Sequence, residues 1–353
     1  MRAMESIPKA KIQKPRTTGL LLSFAAFMVV VAGLRAASDL VVRFLLALFI
    51  VFICGPIFFW LNRKGVPKWI SLFAVLLIIL SFGAILGVLI GTSVNDFTRS
   101  LPEYQANFVK MVSGFISWLN SKGIEVPRDA VLNIFNTNMI MNLVGSTLTT
   151  LTGMLSDSFL ILLIVIFLLL EASTVPLKVA SIWGHDSQTM RELKRFAASM
   201  QRYIALKTLI SLATGIFISV ALIVIGVDFP LLWGLMAFLF NYIPTIGSIL
   251  ASIPPILLAM VQLGLAEAGA VLIVYLAVNN VIGGFIEPRT MGRGLGISPL
   301  VVLLSVIFWG WVLGPIGMLL SVPLTMSVKL YLESRAKTRW IAVMLGRTVP
   351  KSD

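Results

Sequence analysis

The sequence predicts an all-α polytopic membrane protein with about six transmembrane helices, two opposed re-entrant helical hairpins forming an inverted repeat, and a small extracytoplasmic helical lobe. Three observations carry that expectation. The first is composition: 58% of the 353 residues are hydrophobic, 12% are charged and the mean hydropathy is +0.98, more apolar surface than a water-soluble core can hide. The second is a pair of apolar segments, 230–263 and 299–329, each too long for one crossing and interrupted near its middle by proline and glycine. The third is the placement of Lys and Arg, which orients helices in a bilayer. The net charge of +13 is therefore read as a topology signal, and no nucleic-acid partner is expected.

Residues 1–17 form a basic N-terminus (Arg2, Lys9, Lys11, Lys14, Arg16) ahead of an apolar run at 18–34. That run has the outline of a signal peptide, but further spans follow at once, so an uncleaved anchor with a cytoplasmic N-terminus is expected. Spans two and three cover about 40–60 and 70–92, joined by a basic turn (Arg63, Lys64, Lys68) that marks the cytoplasmic side. Together the first three spans occupy 18–93. Residues 94–152 are the least apolar part of the chain, with four basic and four acidic side chains and no inside signal, which predicts the extracytoplasmic lobe. Within it Leu101, Tyr104, Phe108, Met111, Phe115 and Leu119 recur at steps of three and four. They share one helical face, which packs on its own chain or on a neighbouring subunit.

A fourth span at about 159–170 leads back to the cytoplasm, within a unit of 153–207. There residues 186–207 place Met190, Leu193, Phe196, Met200 and Tyr203 on one face and Arg191, Lys194, Arg195 and Arg202 on the others. This pattern suits a helix lying on an anionic inner leaflet, or equally a linker helix packed on the spans. Cys54, the single cysteine, lies in an apolar run and reads as a small buried hydrophobe.

The fifth span, 208–227, precedes the first over-long segment, and the sixth, 268–285, precedes the second. Residues 246–254 read IGSILASIP and 316–323 read IGMLLSVP, one pattern with a single deletion, each with a proline just upstream (Pro244 and Pro315). Each half of a broken segment holds about 13 to 16 residues, or roughly 20 to 24 Å of helix against a hydrocarbon core of about 30 Å. Half-length helices around a break predict re-entrant hairpins. The unit of span plus hairpin thus occurs twice, at 208–264 and 265–331. Charge opens the first hairpin outward and the second inward, with a cytoplasmic tail at 332–353 and 22 of the 28 basic residues on that side. Opposed repeats with discontinuous helices mark secondary transporters. The competing topology makes every half a full crossing, eight or more in all.

A broken helix frees backbone N–H and C=O groups, which hydrocarbon leaves unsatisfied unless they line a cavity or meet a ligand. The candidate substrate-binding residues are accordingly Asn241, Tyr242, Pro244, Thr245, Gly247 and Ser248 at the first break. Gly314, Pro315 and Gly317 at the second break join them, as do Asn279 and Asn280 in the sixth span. All are neutral, which suits a hydroxyl-rich or weakly charged solute. The plainer alternative is helix-packing glycines and self-satisfied kinks, and it fits Gly283 and Gly284 better. Glu287, beside Pro288 and Arg289 at a span end, reads as an interfacial ion pair or helix cap, and Glu287 with Arg289 is the candidate coupling site. His185 is the single histidine, so no metal cluster is expected. There is no GxxxxGK[ST], HExxH or GxSxG, and neither an enzyme nor a cofactor is expected. Transport would then draw on a proton or sodium gradient, or be passive.

NYIPTIGSILASIPP at 241–255, FIEPRTMGRGLGISPL at 285–300 and FWGWVLGPIGMLLSVPL at 308–324, with the RKGVPK turn, resemble the autoinducer-2 exporter family of bacterial membrane proteins. The resemblance covers roughly 18–335. It implies export, or facilitated exit, across the inner membrane of the quorum-sensing signal autoinducer-2, a small polyhydroxylated furanone derivative. It also implies a homo-oligomer, a pentamer, and leaves sodium or lithium/proton antiport as an alternative cargo chemistry. A passive channel or a structural scaffold is the reading from another class.

Overall fold

The chain is described by a computed structural model over residues 17–123, 145, 158–184, 187–291, 297–335 and 338–346. Helices α1 (Thr17–Ala36), α2 (Ser38–Arg63) and α3 (Lys68–Ser121) are followed by α4 (Ser158–Ala172), α5 (Val175–Trp183) and α6 (Gln188–Ile225). Then come α7 (Pro230–Phe240), α8 (Ile246–Gln262), α9 (Leu265–Val278), a π-helical stretch (Asn279–Ile286) and α10 (Glu287–Met291). The chain closes with α11 (Pro299–Leu319), α12 (Ser321–Glu333) and α13 (Arg339–Met344).

Among the described residues five helices are long and apolar enough to cross a membrane: α2, α3, α6, α9 with its π-helical stretch, and α11. The expected fourth span, α4, has 15 residues, about 22 Å, and its expected extension at 153–156 lies outside the described residues. Helix α3 exposes large apolar side chains at intervals from Trp69 to Val88, and α6 does so from Leu209 to Val224. On α3 that band is about 29 Å tall at 1.5 Å per residue, close to the thickness of a hydrocarbon core. Surface of this kind faces lipid.

Two boundaries differ from the sequence reading. Helix α3 runs unbroken for 54 residues, about 81 Å, so 94–121 continue the helix of the third span well past the thickness of a hydrocarbon core. The stripe is rotated slightly from the expected one. Phe97, Tyr104, Phe108, Val112 and Ile116 are buried in one cluster with Leu232, Trp233 and Leu258, while Phe115 is exposed and stacks on Trp118. This face packs on its own chain. The rest of the expected lobe, 124–144 and 146–152, lies outside the described residues, as do His185 and the basic N-terminus.

The second difference is α6. Ser187 caps it by accepting a hydrogen bond from Met190 N at 3.2 Å, and Gly226 ends it in the left-handed region (φ 88°) with Val227 N bonded to Leu222 O. These are ordinary start and stop signals, and no proline stands between them, so 188–207 and the fifth span form one 38-residue helix. Met190, Met200 and Tyr203 are buried while Arg191, Lys194, Arg195 and Arg202 are exposed. The apolar face is covered by protein, as the linker-helix alternative has it.

Among the described residues the first broken segment is rich in buried side chains. Helix α7 lies on α6 where Gly215 and Gly234 meet: a Cβ at Gly234 would stand 1.8 Å from Ser219 Oγ, and one at Gly215 2.7 Å from the Gly234 carbonyl oxygen. Ser211, Gly215 and Ser219 follow each other at four-residue steps, the small-residue track that lets two membrane helices approach closely. The two ends of this segment are tied together. Gln262, at the end of α8, accepts from Asp228 N at 3.0 Å and donates to Gly226 O at 3.2 Å. Asp228 also accepts from Tyr104 of α3 at 2.6 Å, and its carbonyl accepts from Trp233 at 2.9 Å.

The second broken segment begins at Ser298, whose side chain caps α11 and whose N–H donates to Leu345 O at 3.0 Å, beside the helix that follows the segment's far end. Ile297, Val301, Val322 and Met326 cluster there with Met200, Tyr203 and Ile204 of α6. One broken segment therefore starts at the Gly226 end of α6 and the other near Ile204, some 22 residues and about 33 Å away along the helix.

Candidate functional site

The break between α7 and α8 is held by polar bonds to α6. Asn241 donates its side-chain amide to Ser211 Oγ at 3.0 Å, and the Tyr242 hydroxyl donates to Thr208 Oγ1 at 2.7 Å. Thr208 and Ser211 are three apart, so they share one face of α6. The Tyr242 ring also packs edge-on against Phe49 of α2, with centroids 5.4 Å apart. Thr245 sits in the left-handed region (φ 60°), where a β-branched residue is strained, and its hydroxyl donates to Pro244 O at 2.7 Å. Gly247 is obligatory: a Cβ there would fall 1.8 Å from the Phe240 carbonyl oxygen.

A cleft opens between this break, α6 and the end of α9. Its lining includes Thr214, Asn241, Ser248, Tyr275, Asn279 and Gly283, with no charged side chain. The free space is ≈ 10 Å³, about that of one water molecule. Across from Asn241 the chain leaves α-helical geometry for the eight-residue π-helix NNVIGGFI, a rare, widened form frequent at functional positions. Asn280 donates its amide to Leu276 O at 2.7 Å, steadying the transition into it.

Below the tip Glu287 forms an ion pair, as its position at a span end suggested, but with a partner that sequence reasoning missed. Lys207 Nζ donates to Glu287 Oε1 at 2.6 Å, with side-chain exposures of 3% and 24%. Glu287 thus finds its partner 80 residues upstream. Arg289, expected beside it, instead stacks its guanidinium over the Phe285 ring at 4.3 Å.

Of the residues named from sequence, Asn241, Ser248 and Asn279 border the cleft and Tyr242 lies beside it, while Asn280 is turned toward its own helix. Gly314, Pro315 and Gly317 are elsewhere. There Gly314 turns the chain at φ 67°, a Cβ at Gly317 would stand 2.0 Å from the Trp309 carbonyl oxygen, and Trp309 Nε1 donates to Thr325 Oγ1 at 3.0 Å. Val312 and Leu313 cluster with Val31, Val41 and Leu45, one to two helical turns along α2 from Phe49. Residues missed from sequence are Thr208, Ser211, Thr214, Tyr275 and Lys207. A lone hydroxyl or ammonium inside an apolar run carries no local signal of its partner.

With polar breaks, a π-helix and a cleft set among membrane-crossing helices, the comparisons with known proteins become decisive. A family model described as AI-2E family transporter matches residues 22–336. The chain belongs to the AI-2E transporter family. It is 40% identical over 327 residues to the AI-2 transport protein TqsA of Escherichia coli K12, covering 93% of this chain and 95% of that one. A Haemophilus influenzae relative is 39% identical over 333 residues (92% and 95%), and YhhT of Escherichia coli K12 is 34% identical over 342 (96% and 98%). This AI-2E transporter is thus similar to its relatives over nearly its whole length.

Proposed function

We propose that this AI-2E transporter is a secondary transporter of the inner membrane, with both termini cytoplasmic, that exports autoinducer-2 or a similar small polyhydroxylated solute by alternating access. The neutral, polar cleft at the first break carries this reading, and the name of the TqsA relative supports the cargo. Both broken segments act as re-entrant hairpins, a reading supported by Gln262 joining the two ends of the first and by their opposed starting points along α6. A space of ≈ 10 Å³ admits one water-sized group and no furanone ring, so the conformation described is the closed one. Solute enters when the first hairpin parts from the π-helical stretch. Gly226 (φ 88°) and Gly264 (φ 123°) flank the hairpin and supply the backbone freedom for that motion.

A second reading, cation/proton exchange, is favoured by the pair of a buried Lys207 with a partly exposed Glu287, which suits a coupling site with Arg289 nearby. Flux in proteoliposomes separates the two. Saturable, counterflow-competent movement of autoinducer-2 is expected; pH-linked sodium flux without it selects the exchanger, and unsaturable flux sinks the carrier.

A further inference from the structure

The buried face of α9 carries one polar group to which nothing above gives a task. Tyr275 is 6% exposed and borders the cleft, and its hydroxyl has no hydrogen-bond partner among the described residues. Ser71, Ser113 and Ser321 also have buried hydroxyls without partners, but none of them borders the cleft. Leaving a buried donor unpaired costs about 1–3 kcal/mol, and buried side-chain polar atoms are in large majority satisfied. The position therefore calls for a ligand atom.

Acceptors stand on the other walls of the cleft. Asn241 gives its N–H to Ser211 and Thr214 gives its hydroxyl to Ile210 O. The Asn241 carbonyl oxygen and the Thr214 lone pairs remain to accept. Ser248 and Asn279 add a hydroxyl and an amide on the same lining.

We propose that Tyr275 contacts substrate directly and, with Asn241, Thr214, Ser248 and Asn279, forms a subsite for one hydroxyl group of a neutral polyol. This rests on the transport reading above and names the chemistry that its cleft selects. A hydroxyl both donates and accepts, as this mixture of a free donor and free acceptors requires. A sodium ion takes only lone pairs and would leave the phenolic hydrogen unsatisfied. A carboxylate or phosphate would bring a full charge to a lining that has none to offset it. The free space matches one oxygen-sized group, so one hydroxyl seats here and the rest of the solute is accommodated as the hairpin opens.

The test is Tyr275→Phe in the full chain, read by thermal unfolding in detergent and by saturable autoinducer-2 exchange in proteoliposomes. The unfolding midpoint is expected to stay or rise, because no internal bond is lost. The half-saturation concentration is expected to rise about three- to tenfold, the worth of one neutral hydrogen bond. Ser248→Ala is expected to move it in the same direction. A lowered midpoint with unchanged half-saturation means that the phenol is bonded within the fold and overturns the subsite. Altered sodium flux with unaltered polyol exchange overturns it in favour of a cation site. If the parent protein does not exchange autoinducer-2, the cargo reading fails, and the same comparison with erythritol then judges the subsite. No shift with either probe rejects it.

Discussion

In the first broken segment Gly247 lies against the Phe240 carbonyl, and in the second Gly317 lies against the Trp309 carbonyl, 1.8 Å and 2.0 Å from where a Cβ would stand. Ile243 and Leu313, each four residues before its glycine, close the same contact from the other side. The backbone problem of reversing a helix has one answer used twice. What surrounds the answer differs. The first tip is tied to α6 through Asn241 and Tyr242, keeps a strained Thr245 in its turn and borders the neutral cleft. The second tip turns on Gly314 and is packed by Val31, Val312 and Leu313. Near it the Arg35 guanidinium stacks 4.6 Å above the Trp311 ring. The lesson is that backbone geometry alone does not identify a site: polar side chains and local strain gather at one tip, and the other has the character of an anchor.

The largest expected effect tests whether the charge pair below the first tip holds that half of the molecule. Glu287→Ala leaves Lys207 buried without its counter-charge and is expected to destabilise by about 3–5 kcal/mol, measured by unfolding in detergent. The Lys207→Met/Glu287→Leu double variant should recover most of the loss, because two apolar groups need no pairing. A double variant no better than the single one would remove the pair from the account.

Next come the glycines. Gly247→Ala and Gly317→Ala should each cost at least the 1–3 kcal/mol typical of overpacking, because the obstructing atom is a backbone oxygen that cannot swing aside. Equal costs support the equivalence of the two reversals; a normal midpoint for either variant breaks it.

The smallest effect is the most diagnostic. Tyr242→Phe loses the bond to Thr208 and Thr325→Val loses the bond from Trp309, each a neutral bond of about 1 kcal/mol. Stability should fall alike in both, while solute exchange changes only in Tyr242→Phe. Equal effects on exchange would erase the functional contrast between the tips.

Much of this was legible residue by residue. The Ser187 cap, the Gly226 stop and the Ser298–Pro299 start can be read without coordinates because capping chemistry is local. Asn241 and Ser248 were singled out by the break around them and Asn279 by its amide within an apolar span, and all three border the cleft. Tyr275 was not, since one aromatic in an apolar run usually packs. Nor could the helix merger at 188–225 be read, because a change from basic to apolar composition does not end a helix; only a breaker does.

What the sequence by itself determined is the solvent and the kinship: its apolar excess demands lipid, and its motifs place it among the AI-2E transporters. Tertiary structure decided which polar groups meet. Lys207 and Glu287 stand 80 positions apart and Tyr104 and Asp228 stand 124 apart, and no periodicity encodes such pairs. Hydropathy and helical period act over a few turns of chain, whereas burial, pairing and the shape of a cleft exist only once distant segments are packed together.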